Sequence, residues 1–338
     1  MKLKDLLKGI DVKNDFENVD VLDVTQDSRL VKDGSLFICI KGAAFDGHSV
    51  AKKMLESGAV AVVVDHDLGL DSQIIVEDSR AVYSPICANF FGNPAEKLKL
   101  IGLTGTNGKT TTTFLIKQIL ENVGKKVGLI GTVQNMVGDE IYPAKYTTPD
   151  PYELQKLFSL MVKANCEYCV MEVSSQALAQ GRVNGLRFTL GAFTNLTQDH
   201  LDYHKTWENY FNAKRKLFEN SDIAVTNADD EHGLKIIDGL NFDTELLVYQ
   251  GCDCVRKIRF EREADHGKVT IQDEYLVRML KTCKAPLIPV PHTIGTVAFT
   301  SKDYPKTIRW IRKTLKCGEI SLDAYKLIKR ELFFKRNK

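Results

Sequence analysis

A glycine-rich segment gives the clearest chemical signal in this chain of 338 residues. It follows the apolar run 100–103, precedes a segment with helical spacing, and reads Gly105-Thr106-Asn107-Gly108-Lys109-Thr110-Thr111. In such a loop the glycines let backbone N–H groups turn towards phosphates, and the N-terminus of the following helix adds a positive dipole. Lys109 can reach the transferred phosphate, and Thr110 offers a hydroxyl to magnesium. The segment therefore predicts a site for ATP and Mg2+, with an ordinary turn as the alternative.

Two further polar residues lie where predicted strands end. Glu172 is at the carboxyl end of a predicted strand, 168–173, and His200 follows the next one, 190–196. Parallel sheets bind ligands at the carboxyl ends of their strands, so both side chains are candidate magnesium ligands. The alternatives are a helix cap at Glu172 and a hydrogen-bonded loop histidine at His200.

Lys214 interrupts the apolar face of a predicted helix, 207–219. The other positions of that face are Trp207, Tyr210, Phe211, Leu217 and Phe218. A lysine at this position is predicted to be buried. Burial favours the neutral amine, which is the form that reacts with carbon dioxide. The alternative is a lysine that extends its ammonium group to solvent.

The elements that must position these residues alternate between strand and helix over residues 98–250. The predicted strands are 98–103, 127–130, 168–173, 190–196 and 223–226, and the predicted helices are 111–123, 151–164 and 207–219. Such alternation indicates a parallel sheet covered by helices. Helix 151–164 has the strongest start signals, with Asp150 as its cap, Pro151 in its first turn and Glu153 completing a capping box. In helix 111–123 the side chains predicted to face the core are Phe114, Leu115, Ile119 and Val123.

The regions on either side differ from this central one. Residues 1–97 contain predicted strands at 35–40, 59–64 and 73–76 and a predicted helix at 48–57, and Gly92-Asn93-Pro94 indicates a boundary. Residues 251–338 are predicted to form short strands and then two basic amphipathic helices. The helical stripes are Ile308, Ile311 and Leu315 in the first helix, and Leu322, Tyr325, Ile328 and Leu332 in the second.

Composition excludes several classes of protein. A hydrophobic content of 43% and a charged content of 27% are typical of a globular protein, with about two to three domains at this length. No apolar run is long enough to cross a bilayer and the start lacks a secretory signal, so we expect a cytoplasmic protein without a membrane partner. Residues 251–338 carry 20 Lys and Arg against 10 Asp and Glu. These charges alternate with helical apolar positions, which favours a solvated helix face over a nucleic-acid partner.

Several segments together resemble the Mur ligases. The short form of the phosphate loop is typical of Mur ligases and of folylpolyglutamate synthetases, and further segments favour the former. These are Asp27-Ser28-Arg29, Thr147-Thr148-Pro149-Asp150, the segment from Met171 to Gln176, and the segment from Phe193 to His204. The likeness covers about residues 20–230 and is greatest to the Mur ligases that add the third amino acid of the peptidoglycan stem peptide. A folylpolyglutamate synthetase would begin directly with its ATPase domain, so residues 1–97 argue against that alternative.

The resemblance implies an α/β fold with three regions. Residues 1–97 would form a uridine-nucleotide-binding α/β domain, residues 98–250 a central ATPase with a mainly parallel sheet, and residues 251–338 a divergent basic tail. The implied UDP contacts are Gln26, Ser28, Ala43, Ala44 and Phe45. The implied contacts to the muramoyl dipeptide are Thr147, Thr148, Ser174, Gln180 and Arg182. Asn227 would lie near the nucleoside of ATP, and magnesium would be held by Thr110, Glu172, His200 and Lys214, the last as N6-carboxylysine.

The same comparison leaves the activity open. The segments V-D-Y-A-H-T and D-N-P-R, which belong to the third domain of complete Mur ligases, do not occur in this sequence. One expectation is an ATP-dependent amide-forming ligase, with a separate chain as a possible source of the third domain. The other is a protein that binds ATP and the UDP-linked precursor without ligation. Lysine and diaminopimelate both remain as the third amino acid.

Overall fold

A computed structural model describes residues 1–42, 45–227, 230–236, 245–249, 255–263 and 266–271. The chain divides into two units, residues 1–221 and 222–338. Within the described residues, no helix combines the length and the apolar character needed to cross a membrane.

The first unit begins with a parallel sheet of four strands. The sheet has the order β1-β2-β3-β4, with β1 at Asp23–Thr25, β2 at Ser35–Ile38, β3 at Ala59–Val64 and β4 at Gln73–Ile75. Its helices are α1 (Leu3–Leu6), α2 (Ala51–Glu56) and α3 (Ser79–Phe90), and a short 3-10 helix, Gly47–Val50, leads into α2. Strand β3 is a run of alanine and valine because both faces of a parallel sheet are covered. The predicted strands and the predicted helix of this region are confirmed, with the first strand ending earlier, at Ile38.

The second sheet of this unit carries the glycine-rich loop. Its strand order is β10-β5-β9-β6-β7-β8. Its elements are β5 (Lys99–Thr104), α4 (Lys109–Asn122), β6 (Val127–Ile130), β7 (Asn135–Val137), β8 (Glu140–Tyr142), α5 (Pro151–Lys163), β9 (Tyr168–Glu172), α6 (Ser175–Ala179), β10 (Phe188–Phe193), α7 (Leu201–His204) and α8 (Trp207–Glu219). Strands β10, β5, β9 and β6 are parallel neighbours, which confirms the predicted α/β class. The antiparallel hairpin β7–β8 was not expected from the sequence.

Helix α5 shows how local sequence fixes an element. The Asp150 side chain accepts hydrogen bonds from the backbone N–H groups of Tyr152 and Glu153, and Pro151 occupies the first turn. Proline is favoured there because its missing N–H would have no helical partner. The predicted cap and start of this helix are therefore confirmed.

The buried face of α4 was predicted wrongly at three of its four positions, and the fourth residue, Phe114, is half-buried. Leu115, Ile119 and Val123 are 53%, 63% and 68% exposed. The side chains on the buried side are Thr113, Ile116, Lys117 and Leu120. Of these, Ile116 and Leu120 pack against a cluster formed by Leu103, Val127 and Val170. Apolar residues lie on two sides of this helix, so spacing alone could not identify the buried one. The helix begins at Lys109, and its contact with the sheet determines which side is buried.

The second unit begins within strand β11 (Ser221–Asn227). It continues with α9 (Gly233–Ile236), β12 (Glu245–Tyr249), β13 (Val255–Glu263) and β14 (His266–Ile271). Strand β12 is parallel to β11 and antiparallel to β13, which is antiparallel to β14. These strands confirm the prediction of strand 223–226 and of short strands after residue 250. The two predicted basic helices lie outside the described residues, and the predicted domain limits at residues 97 and 250 stay predictions.

Candidate active site

The glycine-rich loop joins the carboxyl end of β5 to the N-terminus of α4. Gly105 has a φ of 144° and Gly108 a φ of 85°, which are backbone conformations that favour glycine. A Cβ atom on Gly105 would lie 2.0 Å from the Thr194 hydroxyl oxygen. The loop therefore needs glycine at position 105 for both its backbone angle and its close approach to the segment after β10.

That segment holds the loop in place. The backbone N–H of Thr106 donates to the carbonyl of Asn195 at 2.8 Å, and the backbone N–H of Asn107 donates to the Asn195 side-chain oxygen at 3.0 Å. The Thr194 hydroxyl donates to the carbonyl of Asn107 at 2.7 Å. Sequence reasoning missed these two supporting residues, although their position directly after a parallel strand was a usable signal.

Lys109 folds back over the loop that precedes it. Its ammonium group donates to the carbonyls of Gly105 and Thr106, each at 2.9 Å. Burial lowers the pKa of Lys109, and the negative charges of Glu172 and Asp199 act in the opposite direction. A half-buried cation bonded to neutral carbonyls can move to an anion that binds at the loop.

Glu172 connects the phosphate loop to the neighbouring strand ends. Its carboxylate is 1% exposed and accepts a hydrogen bond from the Thr110 hydroxyl at 3.0 Å. The carboxylate also accepts from the backbone N–H of Thr132 at 2.9 Å, and the Thr132 hydroxyl lies 3.1 Å away. Thr132 follows strand β6, so helix α4 and the ends of two adjacent parallel strands, β9 and β6, bring side chains to this point. Thr132 was not among the predicted residues.

Lys214 is buried, as the apolar stripe of α8 predicted, with 2% of the residue exposed. Its ammonium group donates to the carbonyl of Gly105 at 2.9 Å and lies 4.6 Å from the centre of the Tyr210 ring. Burial lowers the pKa of Lys214 to about 7, and the nearby charge of Lys109 adds to this effect. Lys109 and Lys214 thus donate to the same carbonyl oxygen, and the more buried of them is the one that loses its proton near neutral pH.

His200 lies on the side of the site formed by α8. It has a left-handed backbone with a φ of 52°, and its ring is 6.3 Å from the Tyr210 ring. Its Nε2 atom lies 3.5 Å from the Asp199 carboxylate, and its side chain is about half exposed. The structure therefore places His200 beside Tyr210, whereas Glu172 contacts Thr110 and Thr132.

The residues predicted to bind the muramoyl dipeptide form one network with the strand end at Glu172. The buried Thr148 hydroxyl donates to the carbonyl of Glu172 at 2.9 Å and accepts from the backbone N–H of Ser174 at 3.0 Å. Arg182 donates to the carbonyl of Thr148 at 2.8 Å and to the Gln180 side-chain oxygen at 2.7 and 2.9 Å. The hydroxyls of Thr147 and Thr132 are 3.0 Å apart.

The residues predicted to bind UDP follow the first two strands of the four-stranded sheet. Gln26 and Ser28 come after β1, and Phe45, which is 52% exposed, comes after β2. The side chain of Arg29 pairs with Asp27, whose pKa falls to about 2 because of this hydrogen bond. Ala43 and Ala44 lie outside the described residues. Asn227 ends strand β11 in the second unit.

The lowered pKa of Lys214 predicts a specific dependence of stability on pH. Its folded pKa is about 7 against an ordinary lysine value of 10.5, so between these values the unfolded chain binds more protons. The free energy of unfolding contributed by this residue therefore rises with pH through that window. We expect Lys214→Met to be more stable than the wild type by a few kcal/mol at pH 6, and this difference to shrink between pH 7 and pH 10.

Urea unfolding at a series of pH values, in buffer free of carbon dioxide, measures this difference. Lys125→Met is the matched control, because Lys125 is a partly exposed surface lysine paired with Glu167. Its difference from the wild type should show no such decrease. Parallel curves for wild type and Lys214→Met would contradict the lowered pKa.

The glycine-rich loop connects strand β5 to helix α4 in a parallel sheet, and a carboxylate lies at the end of the neighbouring strand. This arrangement defines an α/β protein of the phosphate-loop class. Two family models match this chain: Mur ligase middle domain over residues 103–274, and Mur ligase family, catalytic domain, over residues 21–96. The chain belongs to the Mur ligase family, which confirms the resemblance seen in the sequence.

Two proteins similar to this chain are named UDP-N-acetylmuramoyl-L-alanyl-D-glutamate–2,6-diaminopimelate ligase. The one from Clostridium perfringens is 48% identical over 242 residues, covering 70% of this chain and 50% of that protein. The one from Caldanaerobacter subterraneus is 48% identical over 286 residues, covering 81% and 58% respectively. A solved structure with this name superposes with a TM-score of 0.65 at 26% identity, covering 80% of this chain and 57% of the other. This chain therefore spans about half the length of the curated relatives that it matches.

Proposed function

We propose that this protein is an ATP-dependent amide-forming ligase of peptidoglycan synthesis. It would add the third amino acid to UDP-N-acetylmuramoyl-L-alanyl-D-glutamate. The relatives of 48% identity are named as ligases for this precursor and 2,6-diaminopimelate, so diaminopimelate is the proposed third residue and L-lysine the comparison. ATP and a UDP-linked precursor are cytoplasmic substrates, and this supports the expected cytoplasmic location.

The observation that carries the proposal is a continuous line of contacts from the phosphate loop to the predicted precursor residues. It runs from the Thr110 hydroxyl to the Glu172 carboxylate, then to Thr132 and the Thr147 hydroxyl. The Glu172 carbonyl also accepts from Thr148. A γ-phosphate at the loop and a carboxylate at Thr147 and Thr148 would thus share one site.

This arrangement suits activation of a carboxylate by ATP. A carboxylate oxygen of the precursor attacks the γ-phosphorus, the bond to ADP breaks, and an acyl phosphate forms. The amine of the incoming amino acid then attacks the acyl carbon, inorganic phosphate leaves with the former carboxylate oxygen, and the nitrogen releases one proton to solvent as the amide forms. Two anions must meet in the first step, so positioned positive charge is needed. Lys109 supplies a cation at the loop, and Arg182 supplies one at the predicted precursor residues.

The donors at Glu172 fit magnesium. Magnesium prefers oxygen ligands, and Thr110 and Glu172 bring a hydroxyl and a carboxylate oxygen to 3.0 Å from each other. These two residues would hold the ion, and His200, with an imidazole donor, is the weaker candidate. When bound, magnesium neutralises charge on the phosphates.

We further propose that Lys214 carries an N6-carboxy group. Its pKa of about 7 leaves a large fraction of neutral amine at neutral pH. The neutral nitrogen attacks the carbon of carbon dioxide, a nitrogen–carbon bond forms, and one proton is released. The buried cation becomes an anion beside Lys109, whose ammonium group shares the Gly105 carbonyl. The repulsion between the ammonium groups of Lys109 and Lys214 is then replaced by an attraction between the Lys109 ammonium group and the N6-carboxylate. The two oxygen atoms of this carboxylate would be additional donors for magnesium.

The alternative function is binding of ATP and the UDP-linked precursor without ligation, because the contacts from Thr110 to Thr147 join the proposed sites of these two ligands. Incubation with ATP, magnesium, UDP-muramoyl-dipeptide and either diaminopimelate or lysine separates the two, with phosphate and tripeptide as readouts. Tripeptide formation supports the ligase. Precursor-dependent phosphate release without tripeptide indicates that a further chain would have to supply the last step, and binding alone supports the alternative.

The precursor is expected to stabilise the folded chain under either function. A ligand that binds only the folded state raises the free energy of unfolding by about 2.7 kcal/mol at 100 times its dissociation constant. UDP-muramoyl-dipeptide should therefore raise the melting temperature, measured by calorimetry, and Arg182→Ala should reduce this shift because the predicted precursor network loses its cation. No shift in a wild-type protein with a normal melting transition would remove the precursor from the proposal.

A further inference from the structure

A cluster of two histidines and one aspartate lies at the carboxyl end of the four-stranded sheet. His48 belongs to the 3-10 helix after β2, and Asp65 and His66 directly follow β3. One donor atom from each of these three residues lies within 4.8 Å of the other two. None of them belongs to the phosphate loop or to the residues proposed to bind the precursor.

The orientation of His48 leaves one ring nitrogen directed at this cluster. Its Nδ1 atom lies 2.7 Å from the Asp46 carboxylate, and its Nε2 atom lies 3.2 Å from the Asp65 carboxylate. A hydrogen bond from Nδ1–H to a carboxylate fixes the tautomer in which Nε2 carries a lone pair. Histidines that bind metals in proteins are commonly held in this way by a carboxylate on the second nitrogen.

The spacing of the donors is close to that of a coordination shell. In a tetrahedral zinc site, donors about 2.0–2.2 Å from the ion lie about 3.3–3.6 Å from each other. The His48 Nε2 to Asp65 separation is 3.2 Å, and His66 Nδ1 lies 2.6 Å from the same Asp65 oxygen. The His66 side chain is 58% exposed, so it has room to turn by the roughly 1 Å that a shared ion would require.

We infer that His48, Asp65 and His66 form a binding site for a divalent transition-metal ion, held in position by Asp46. Two imidazole nitrogens and one carboxylate oxygen suit zinc, nickel or copper, whereas magnesium and calcium prefer oxygen donors. The site therefore differs in ion preference from the magnesium site proposed at Glu172. A bound ion would join the chain after β2 to the end of β3, and His48 is buried between them.

The same three residues are also close enough to hold one another by hydrogen bonds without a metal. Zinc binding separates these states. Isothermal titration of the metal-free chain with zinc chloride, in excess magnesium, should show one site that requires this cluster. His66→Ala removes one ligand from an exposed position and should weaken zinc binding at least tenfold. Asp46→Asn, which keeps the cap of the 3-10 helix, should weaken it by about 10- to 100-fold through His48.

Asp71→Asn is the matched control, since Asp71 is an exposed acidic residue in the same region outside the cluster. It should bind zinc like the wild type, and zinc should raise the melting temperature of wild type and control more than that of His66→Ala. Cobalt substitution identifies the ligands, because thiolates give a charge-transfer band that nitrogen and oxygen ligands lack. Three results would overturn the inference. They are zinc binding that is unchanged in His66→Ala and Asp46→Asn, a thiolate band that remains in His66→Ala, and a wild-type chain that does not bind zinc.

Discussion

Replacing Lys109 with alanine is expected to weaken ATP binding at least tenfold and to lower phosphate release by roughly 100- to 1,000-fold, the loss typical of removing one preorganised charge-stabilising donor. The ammonium group of Lys109 is held by two carbonyls of the loop that is proposed to bind the γ-phosphate. Without it, charge in the transition state is left uncompensated. Titration calorimetry with a non-hydrolysable ATP analogue measures the first effect, and a phosphate-release assay measures the second.

Lys125→Ala is the control for the loss of one positive charge. Lys125 lies just after α4 and pairs with Glu167 at the surface, so its removal should leave nucleotide affinity unchanged. The Lys109→Ala variant should retain the wild-type melting temperature or exceed it, because it removes a cation whose burial is unfavourable. Wild-type affinity and turnover in a folded Lys109→Ala protein would remove the phosphate-loop assignment.

Sequence reasoning worked where a single element determines the outcome. The burial of Lys214 follows from the period of one helix, and the cap at Asp150 follows from adjacent residues in one turn. The parallel sheet follows from the alternation of strands and helices along the chain. Each of these inferences uses only local order, which the sequence contains directly.

Contacts between separate elements could not be predicted in this way. Thr194 lies close to Gly105, and Thr132 lies close to Glu172, only because of which strands are neighbours. The order of these strands in the sheet is β10-β5-β9-β6, which differs from their order along the chain. The wrong prediction for α4 has the same cause, because contact with the sheet buries only one of the two apolar sides of this helix. The cluster at His48 and Asp65 joins residues 17 positions apart through the pairing of β2 with β3.

Replacing Lys214 with alanine is expected to lower magnesium-dependent phosphate release by at least about 100-fold. Mutation of a residue that only supports a metal ligand lowers activity by about 10- to 100-fold, and a ligand itself should matter at least as much. The proposed N6-carboxy group would be a magnesium ligand, so the variant loses charge and donor atoms together. The fold should remain intact, because loss of an amine whose burial is unfavourable offsets the packing lost with its buried methylene groups. If the wild-type chain shows no turnover, magnesium affinity in the presence of the ATP analogue is measured instead.

Lys216→Ala is the matched control, because Lys216 is an exposed lysine on the same helix and its loss should leave phosphate release unchanged. A small carboxylic acid such as acetate or propionate should partly restore phosphate release in Lys214→Ala but not in Lys109→Ala. The reason is geometric: alanine at position 214 leaves room for an added carboxylate, which can supply the missing oxygens to magnesium. A merely structural lysine would not respond to added carboxylate in this way.

The modification itself has a direct signature. Wild-type protein equilibrated with carbon-13 carbon dioxide should show one carbamate resonance that is missing in Lys214→Ala, and phosphate release should fall when carbon dioxide is removed from the buffer. This dependence follows from the pKa of about 7, because the neutral amine that reacts is abundant at neutral pH only when the pKa is lowered this far. An unmodified lysine in the labelled wild type, together with a Lys214→Ala protein as active as the wild type, would assign Lys214 to the structure of the loop alone, through its hydrogen bond to Gly105.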